Sequence, residues 1–280
     1  MARIIAGLSC PHTPMFPLWL SQQPDSLDSR CFEKMRAELS RLAPDVMVAF
    51  VPDHLNTFFY DNLPAFAVAA VDSFDGPCDE PPVIVPRDVA SHKRLGESIH
   101  REALANGFDL AVTRKLAVDH AVMVPLNFLT PTYDIPVVPV YINAIVPPLP
   151  RSDRAYALGR RIGEIIRTFP EDLRVALLAT GSITLEVGGP RINAGEFQGS
   201  PDPSWLDHVL DRLRAGEFAE LAEEATVERL ERAGNAAAEL NCILAMHGAL
   251  DGGTLMMLEP QPTFGHAYGV WVRDTELEPV

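Results

Sequence analysis

Unbroken apolar runs alternate along the chain with segments in which apolar residues recur every three or four positions. We predict buried strands in the runs, at residues 2–10, 45–53, 108–113, 135–143 and 174–180. The periodic segments predict helices at 25–42, 91–105, 153–167 and, almost throughout, 204–248, followed by two short extended segments within 255–273. Apolar strands separated by amphipathic helices are typical of a sheet covered on both faces. The prediction is an α/β fold over residues 1–280, a single-domain sandwich with a central mixed, mainly parallel sheet covered by helices.

The charge balance and the cysteines limit the kinds of partner and the cellular compartment that we expect. With 23 basic and 38 acidic residues the chain carries a formal net charge of −15, which argues against nucleic acid or an anionic membrane as partner. No apolar run approaches the roughly 20 residues that span a bilayer. The amino-terminal residues lack the features of a signal peptide, and the four cysteines form no CxxC pair. We therefore expect a cytoplasmic protein with reduced thiols.

Common catalytic motifs are missing from the sequence. It contains no GxxxxGK[ST] phosphate loop, no GxGxxG turn after a strand, no GxSxG elbow and no HExxH helix. Nucleotide binding, serine hydrolysis and zincin chemistry therefore have no support from motifs.

Two histidines and one carboxylate stand where a metal site could form. His12 follows the first predicted strand and His54 follows the second, and ligands of open α/β sheets bind beyond the carboxyl ends of strands. Glu239 lies among small and apolar residues, where an unpaired carboxylate is costly unless it meets a cation. Such a set would match the two-histidine, one-carboxylate triad of non-haem Fe(II) oxygen chemistry. The alternatives are loop histidines that only donate hydrogen bonds, and a glutamate that complements a helix dipole.

A further histidine, His120, follows Asp119 inside an apolar stretch. It is either a satisfied core residue or an acid–base group that its neighbours tune towards neutrality.

Four blocks together resemble the class III extradiol ring-cleavage dioxygenases: VPDHLNTFFYDNLPAF, DLAVTRKLAVDHAVMVPLNFL, DIPVVPVYINAIVPPLP and GNAAAELNCILAMHGAL. The similarity runs in the same order from about residue 1 to residue 250. It implies Fe(II) held by His12, His54 and Glu239, with His120 in proton transfer and substrate contact. It also implies O2 and a small aromatic ring as substrates, and assembly as a homo-oligomer, in some members with a small partner subunit.

One position departs from the pattern of the family. A histidine that serves the family as its main acid–base group aligns with Leu185, after the predicted strand 174–180. A positioned base contributes about 10²–10⁴-fold in rate, so its loss would slow a reaction without abolishing binding. Three readings follow: a dioxygenase for an acidic or heteroaromatic diol or an aminophenol, a catalytically silent homologue or subunit that binds a metal or an aromatic ligand, or a metal-dependent hydrolase.

Overall fold

The computed structural model describes residues 1–277. Its strands are β1 Arg3–Cys10, β2 Val46–Val51, β3 Phe66–Ala69, β4 Ser73–Gly76, β5 Arg87–Ala90, β6 Ala111–Thr113, β7 Val137–Ile142, β8 Arg174–Thr180, β9 Glu186–Val187, β10 Gln198–Gly199, β11 Thr254–Gln261 and β12 His266–Val272. Its α-helices are α1 Phe16–Gln22, α2 Leu27–Leu42, α3 Lys93–Ala105, α4 His120–Leu129, α5 Ser152–Thr168, α6 Pro203–Ala215, α7 Phe218–Glu224, α8 Val227–Ala233 and α9 Leu240–Leu250. Short 3₁₀ turns lie at Ala237–Glu239 and Asp274–Glu276.

The main sheet contains eight strands in the order β11-β12-β1-β8-β2-β7-β3-β6. Parallel pairing joins β1 to β8, β8 to β2, β2 to β7 and β3 to β6, whereas β12, β11 and the β3–β7 pair are antiparallel. The predicted α/β class with a mixed, mainly parallel sheet is confirmed. Two small ribbons, β4–β5 and β9–β10, lie outside this sheet.

Alternate residues of the central strands pack into two separate hydrophobic cores. On β2, Val46, Val48 and Phe50 face one cluster, and the residues between them face the other. The first cluster contains apolar residues of α3, α5, α6 and α9, and the second contains those of α1, α2 and α4. A strand buried on both faces has no polar side to show, which explains the unbroken apolar runs in the sequence.

Glycines allow α5 and α9 to pack at backbone contact. A Cβ atom on Gly159 would lie 1.9 Å from the carbonyl oxygen of Ala245, and one on Gly163 would lie 2.4 Å from that of Ala249. Any side chain at either position would therefore push the two helices apart. This close packing fixes the position of α9, whose first turn directly follows Glu239.

Several elements differ from the prediction for physical reasons. The segment 204–248 is divided into separate helices at Gly216 and Gly234, where φ is +76° and +157°. The predicted strand 108–113 shortens to β6, because residues 106–110 close the end of α3. The helices α1 and α4 were not predicted, since α1 is short and α4 is apolar on all sides and contains Pro125.

Within residues 1–277, we find no helix with the length and apolar character that a membrane span requires. This matches the sequence, whose apolar runs are all short.

His247 is a buried histidine whose ring nitrogens have no hydrogen-bond partner. Its ring stacks on Phe218 with centroids 3.8 Å apart and meets the edge of Trp271 at 4.3 Å. Burial lowers the pKa of His247 from 6.5 to about 3. The folded protein therefore holds this imidazole neutral, while the unfolded chain takes up a proton as the pH falls below about 6.5.

We predict that His247 makes folding sensitive to mild acid. Its contribution to stability is present above pH 6.5 and is lost as the pH falls towards 3, by about 2 kcal/mol at pH 5. His247→Leu should remove that part of the slope when the free energy of unfolding is measured by urea titration from pH 8 to pH 5. At pH 8 His247 is neutral in both the folded and the unfolded state. The difference in the free energy of unfolding between wild type and variant at that pH therefore measures the effect of the substitution on packing. Parallel pH profiles for wild type and variant would contradict the assignment.

Candidate functional site

The candidate site lies at the edge of the main sheet where β1, β8 and β2 end. Residues that follow these strands line it: His12 comes after β1, His54 after β2 and Ser182 after β8. Because the three strands are parallel neighbours, their carboxyl ends meet at one edge. Glu239 reaches the same place from the 3₁₀ turn before α9.

The three residues proposed as metal ligands converge. Oε1 of Glu239 lies 3.4 Å from Nε2 of His12 and 3.5 Å from Nε2 of His54. Donor atoms about 2.1 Å from one ion are separated by about 3.0 Å in octahedral and about 3.4 Å in tetrahedral geometry. These spacings therefore fit a single divalent cation with little movement.

Glu239 is held in place and kept ionised. Its Oε2 accepts a hydrogen bond of 2.8 Å from the backbone N–H of Ser182, and its side chain is almost fully buried. Burial alone would raise the pKa of Glu239, but the charges of and contacts with His12 and His54 hold it well below its usual range. A buried anion of this kind needs a positive charge beside it.

Asp119 fixes the orientation of His54. One carboxylate oxygen lies 3.0 Å from Nδ1 of His54 and accepts the backbone N–H of the same residue at 3.0 Å. The other oxygen caps α4 by accepting the N–H of Ala121. A proton on Nδ1 leaves the Nε2 lone pair directed at Glu239, as a metal ligand requires.

The local charges favour a cation at this point. Burial alone would lower the pKa of His54, but Asp119 and Glu239 outweigh it and raise the pKa to about 10. Burial lowers the pKa of His12, whose Nδ1 has no hydrogen-bond partner. A site that holds one extra proton between two carboxylates can exchange that proton for a metal ion.

His120 completes a cluster of three imidazoles. Its ring stacks on that of His54 with centroids 4.3 Å apart and lies 5.5 Å from that of His12. One ring nitrogen from each histidine falls within 4.8 Å of the others, so this set is a second candidate for holding a metal. Nδ1 of His120 is hydrogen-bonded to the carboxylate of Asp79, which leaves Nε2 for a metal or a substrate.

A cavity of about 510 Å³ opens in front of the site, a size suited to a small aromatic molecule. Besides the histidines, the cavity has an apolar wall that includes Leu185, Val187, Phe197 and Ile145. Leu185, the position that the sequence aligned with a missing acid–base histidine, is buried at this wall with 8% of its surface exposed. The structure thus places every predicted site residue around one space.

Two partners of the histidines were not predicted. Asp119 carries a local signal, because an acidic residue directly before an apolar helix is a typical N-cap. Asp79 carries none, since it reaches His120 across 41 residues of sequence and lies in a loop.

Comparison with known proteins gives a family and a fold. The family model "Catalytic LigB subunit of aromatic ring-opening dioxygenase" matches residues 7–270. A 2,3-dihydroxyphenylpropionate/2,3-dihydroxicinnamic acid 1,2-dioxygenase 2 from Pseudomonas putida is 34% identical over 67% of the chain and 59% of its own length. A 2,3-dihydroxyphenylpropionate/2,3-dihydroxicinnamic acid 1,2-dioxygenase from Klebsiella pneumoniae subsp. pneumoniae is 31% identical over 75% of the chain and 63% of its own length.

The matched part of the chain thus covers about 60% of the length of these relatives. Among solved structures, an uncharacterized protein from Escherichia coli K12 matches with a TM-score of 0.60 and 16% identity, covering 95% of this chain and 98% of that protein. At this identity the match concerns the fold.

We predict that Glu239→Gln abolishes tight binding of a divalent metal, because it removes the anion that the two histidines face. The affinity for ferrous iron, titrated anaerobically by calorimetry, should fall by at least about 100-fold. Asp119→Asn, which keeps all three proposed ligands but removes the charge that orients His54, should cost about 10–100-fold. The exposed Glu164→Gln is the matched control and should bind as the wild type does.

The opposite result would assign the metal to a different set of ligands. If Glu239→Gln keeps its affinity while His120→Ala loses it, the metal belongs to the three-histidine set rather than to the two histidines and the glutamate.

Proposed function

The chain belongs to the family of the catalytic LigB subunit of aromatic ring-opening dioxygenases, and on that premise we propose that it is a non-haem Fe(II)-dependent extradiol dioxygenase. It would insert O2 into an aromatic ring that bears adjacent hydroxyl groups, or a hydroxyl and an amino group. The observation that carries the proposal is the convergence of His12, His54 and Glu239 before an aromatic-sized cavity. Because the curated relatives are matched over only part of their length, activity and substrate are proposals.

In this proposal His12, His54 and Glu239 hold the metal. Ferrous iron bound there supplies the Lewis acidity that acidifies the ring hydroxyls and the redox chemistry that O2 requires. The protein supplies the anion of Glu239, the orientation of His54 through Asp119, and a cavity that limits access of water.

His120 is proposed as the group that moves a proton to or from the substrate. Its Nδ1 is occupied by Asp79, so Nε2 is the atom that would accept and return the proton. The ring lines the cavity next to His54, which places it beside a substrate bound in front of the metal ligands.

Leu185 limits the acid–base chemistry available at this site. It contributes hydrocarbon where a second acid–base group would otherwise stand, so the substrate must give up its protons with less help. A ring that is itself acidic, such as an electron-poor or heteroaromatic diol, meets that condition. A catalytically silent homologue, or a subunit of a dioxygenase complex, is the second candidate, and Leu185 is the observation that favours it.

The predicted homo-oligomer and small partner subunit stay predictions. Light scattering of the purified protein gives the oligomeric state.

We predict ring cleavage by the iron-loaded protein. Turnover of at least one ring should be accompanied by oxygen uptake and a new visible absorbance. The panel contains catechols, electron-poor diols, hydroxypyridines, aminophenols and 2,3-dihydroxyphenylpropionate. Plain catechol should react about 100-fold or more slowly than the best acidic ring, because one positioned base is missing. Glu239→Gln should show no uptake with any ring. Iron binding at the wild-type site without turnover of any ring would favour the silent homologue.

We predict that Leu185→His accelerates cleavage of plain catechol by about 100-fold, by restoring an acid–base group at the cavity wall. The ratio of kcat/KM for catechol to that for an acidic diol measures the effect. Leu185→Asn, which is polar and of similar size but not basic, should give no such gain. Equal rates in Leu185→His and Leu185→Asn would show that the missing base does not limit the wild type.

A further inference from the structure

We propose that the cavity selects aromatic rings whose side chain is uncharged, and that the ribbon β9–β10 sets this selectivity. This inference rests on the proposed function and specifies its substrate. The cavity lining outside the proposed metal and proton-transfer site includes Trp19, Ile145, Leu185, Val187, Phe197 and Gln198.

The ribbon separates apolar from charged side chains. Leu185 and Val187 line the cavity, whereas Glu186 between them is buried on the other side, where it pairs with Arg191. Strand alternation requires this arrangement, because residues two apart share a face. The charges of the segment are therefore directed away from the place where a substrate would lie.

Arg191, in the loop between β9 and β10, is held by several contacts. In addition to its ion pair with Glu186, its Nη1 donates hydrogen bonds of 2.8 Å and 2.7 Å to the carbonyl oxygens of Glu231 and Arg232. These carbonyls lie at the end of α8, so the guanidinium also complements the negative end of that helix dipole. Turning it into the cavity would break all of these contacts.

Among the described residues that line the cavity, none is lysine or arginine. The titratable side chains there are the three histidines and Glu239, which belong to the proposed metal and proton-transfer site. A carboxylate on the substrate's side chain would thus lose its water at an apolar wall without gaining a cationic partner. The net charge of −15 on the whole chain adds repulsion at long range.

One polar group remains on this wall. The amide nitrogen of Gln198 is buried without a hydrogen-bond partner, and the side chain lines the cavity next to Val187, with which Gln198 is paired in the ribbon. It can bind a neutral acceptor, such as an ester or ketone oxygen. The other amide of the wall, Asn235, is engaged in hydrogen bonds to the backbone of Val187 at 2.9 Å and 2.7 Å. The fitting side chain is therefore apolar, with room for one neutral polar atom.

Three catechols that differ only in the end of the side chain test this. They are 3-(2,3-dihydroxyphenyl)propionate, its methyl ester, and 3-(3-methylbutyl)catechol, which replaces the carboxylate by a branched hydrocarbon. The ester and the hydrocarbon should have kcat/KM values at least about 30-fold above that of the acid. The same order should hold for binding to the iron-loaded protein without O2, read from the fluorescence of Trp19 at the cavity wall.

A charge placed on the ribbon should invert the preference. Val187→Lys puts an ammonium on the cavity wall and should raise kcat/KM for the acid by about 10-fold while lowering it for the hydrocarbon. Val187→Met, which is similarly long but uncharged, should retain the preference for neutral side chains. If Val187→Lys fails to fold, Phe197→Lys takes its place, because Phe197 lines the same wall and is 73% exposed.

The outcomes separate this inference from the proposed function. If the acid is cleaved with the same kcat/KM as the ester and binds with the same affinity without O2, the inference is overturned. The proposed ring cleavage is then unaffected. Preferential binding of the neutral rings without cleavage of any would support the inference and overturn the proposed function. An unchanged preference in both lysine variants would show that the ribbon does not set selectivity.

Discussion

The site depends on one electrostatic constraint: a buried carboxylate that stays ionised. Glu239 is removed from water, and the imidazoles of His12 and His54 and the backbone N–H of Ser182 compensate its charge. The strands and helices around the site hold these groups close to one another. Parallel strands deliver the two histidines to one edge of the sheet, and the glycine-mediated contact of α5 with α9 delivers the glutamate. A cation at this point completes the balance of charge.

The fold could be predicted from the sequence because its signals are local. Strands buried on both faces read as unbroken apolar runs, and α2, α3 and α5 show one apolar stripe each. The errors occur where tertiary packing overrides local pattern. The helix α4 is apolar on every side because the sheet and α2 both cover it, and α1 is too short for a period to emerge.

The site could be predicted only in part. His12 and His54 follow strands, a position that itself indicates a ligand edge, and Glu239 stands out as an acid among apolar residues. The resemblance added His120 and drew attention to Leu185. The partners Asp79 and Asp119 depend on side-chain contacts across 41 and 65 residues of sequence, and no spacing rule encodes such contacts. The alternation that turns Glu186 and Arg191 away from the cavity also required the structure, because β9 is only two residues long.

The ribbon β9–β10 is not hydrogen-bonded into the main sheet, whereas the proposed metal ligands follow strands of that sheet or lie in the turn before α9. Most residues proposed to recognise the side chain of the substrate thus lie in a ribbon outside the main sheet, although Leu185 is proposed to affect both recognition and ring chemistry. In the proposed function, replacements within the ribbon would change the range of accepted molecules with little change at the proposed metal ligands. On that proposal, acceptance of new compounds could evolve in small steps, each of which keeps the proposed metal ligands.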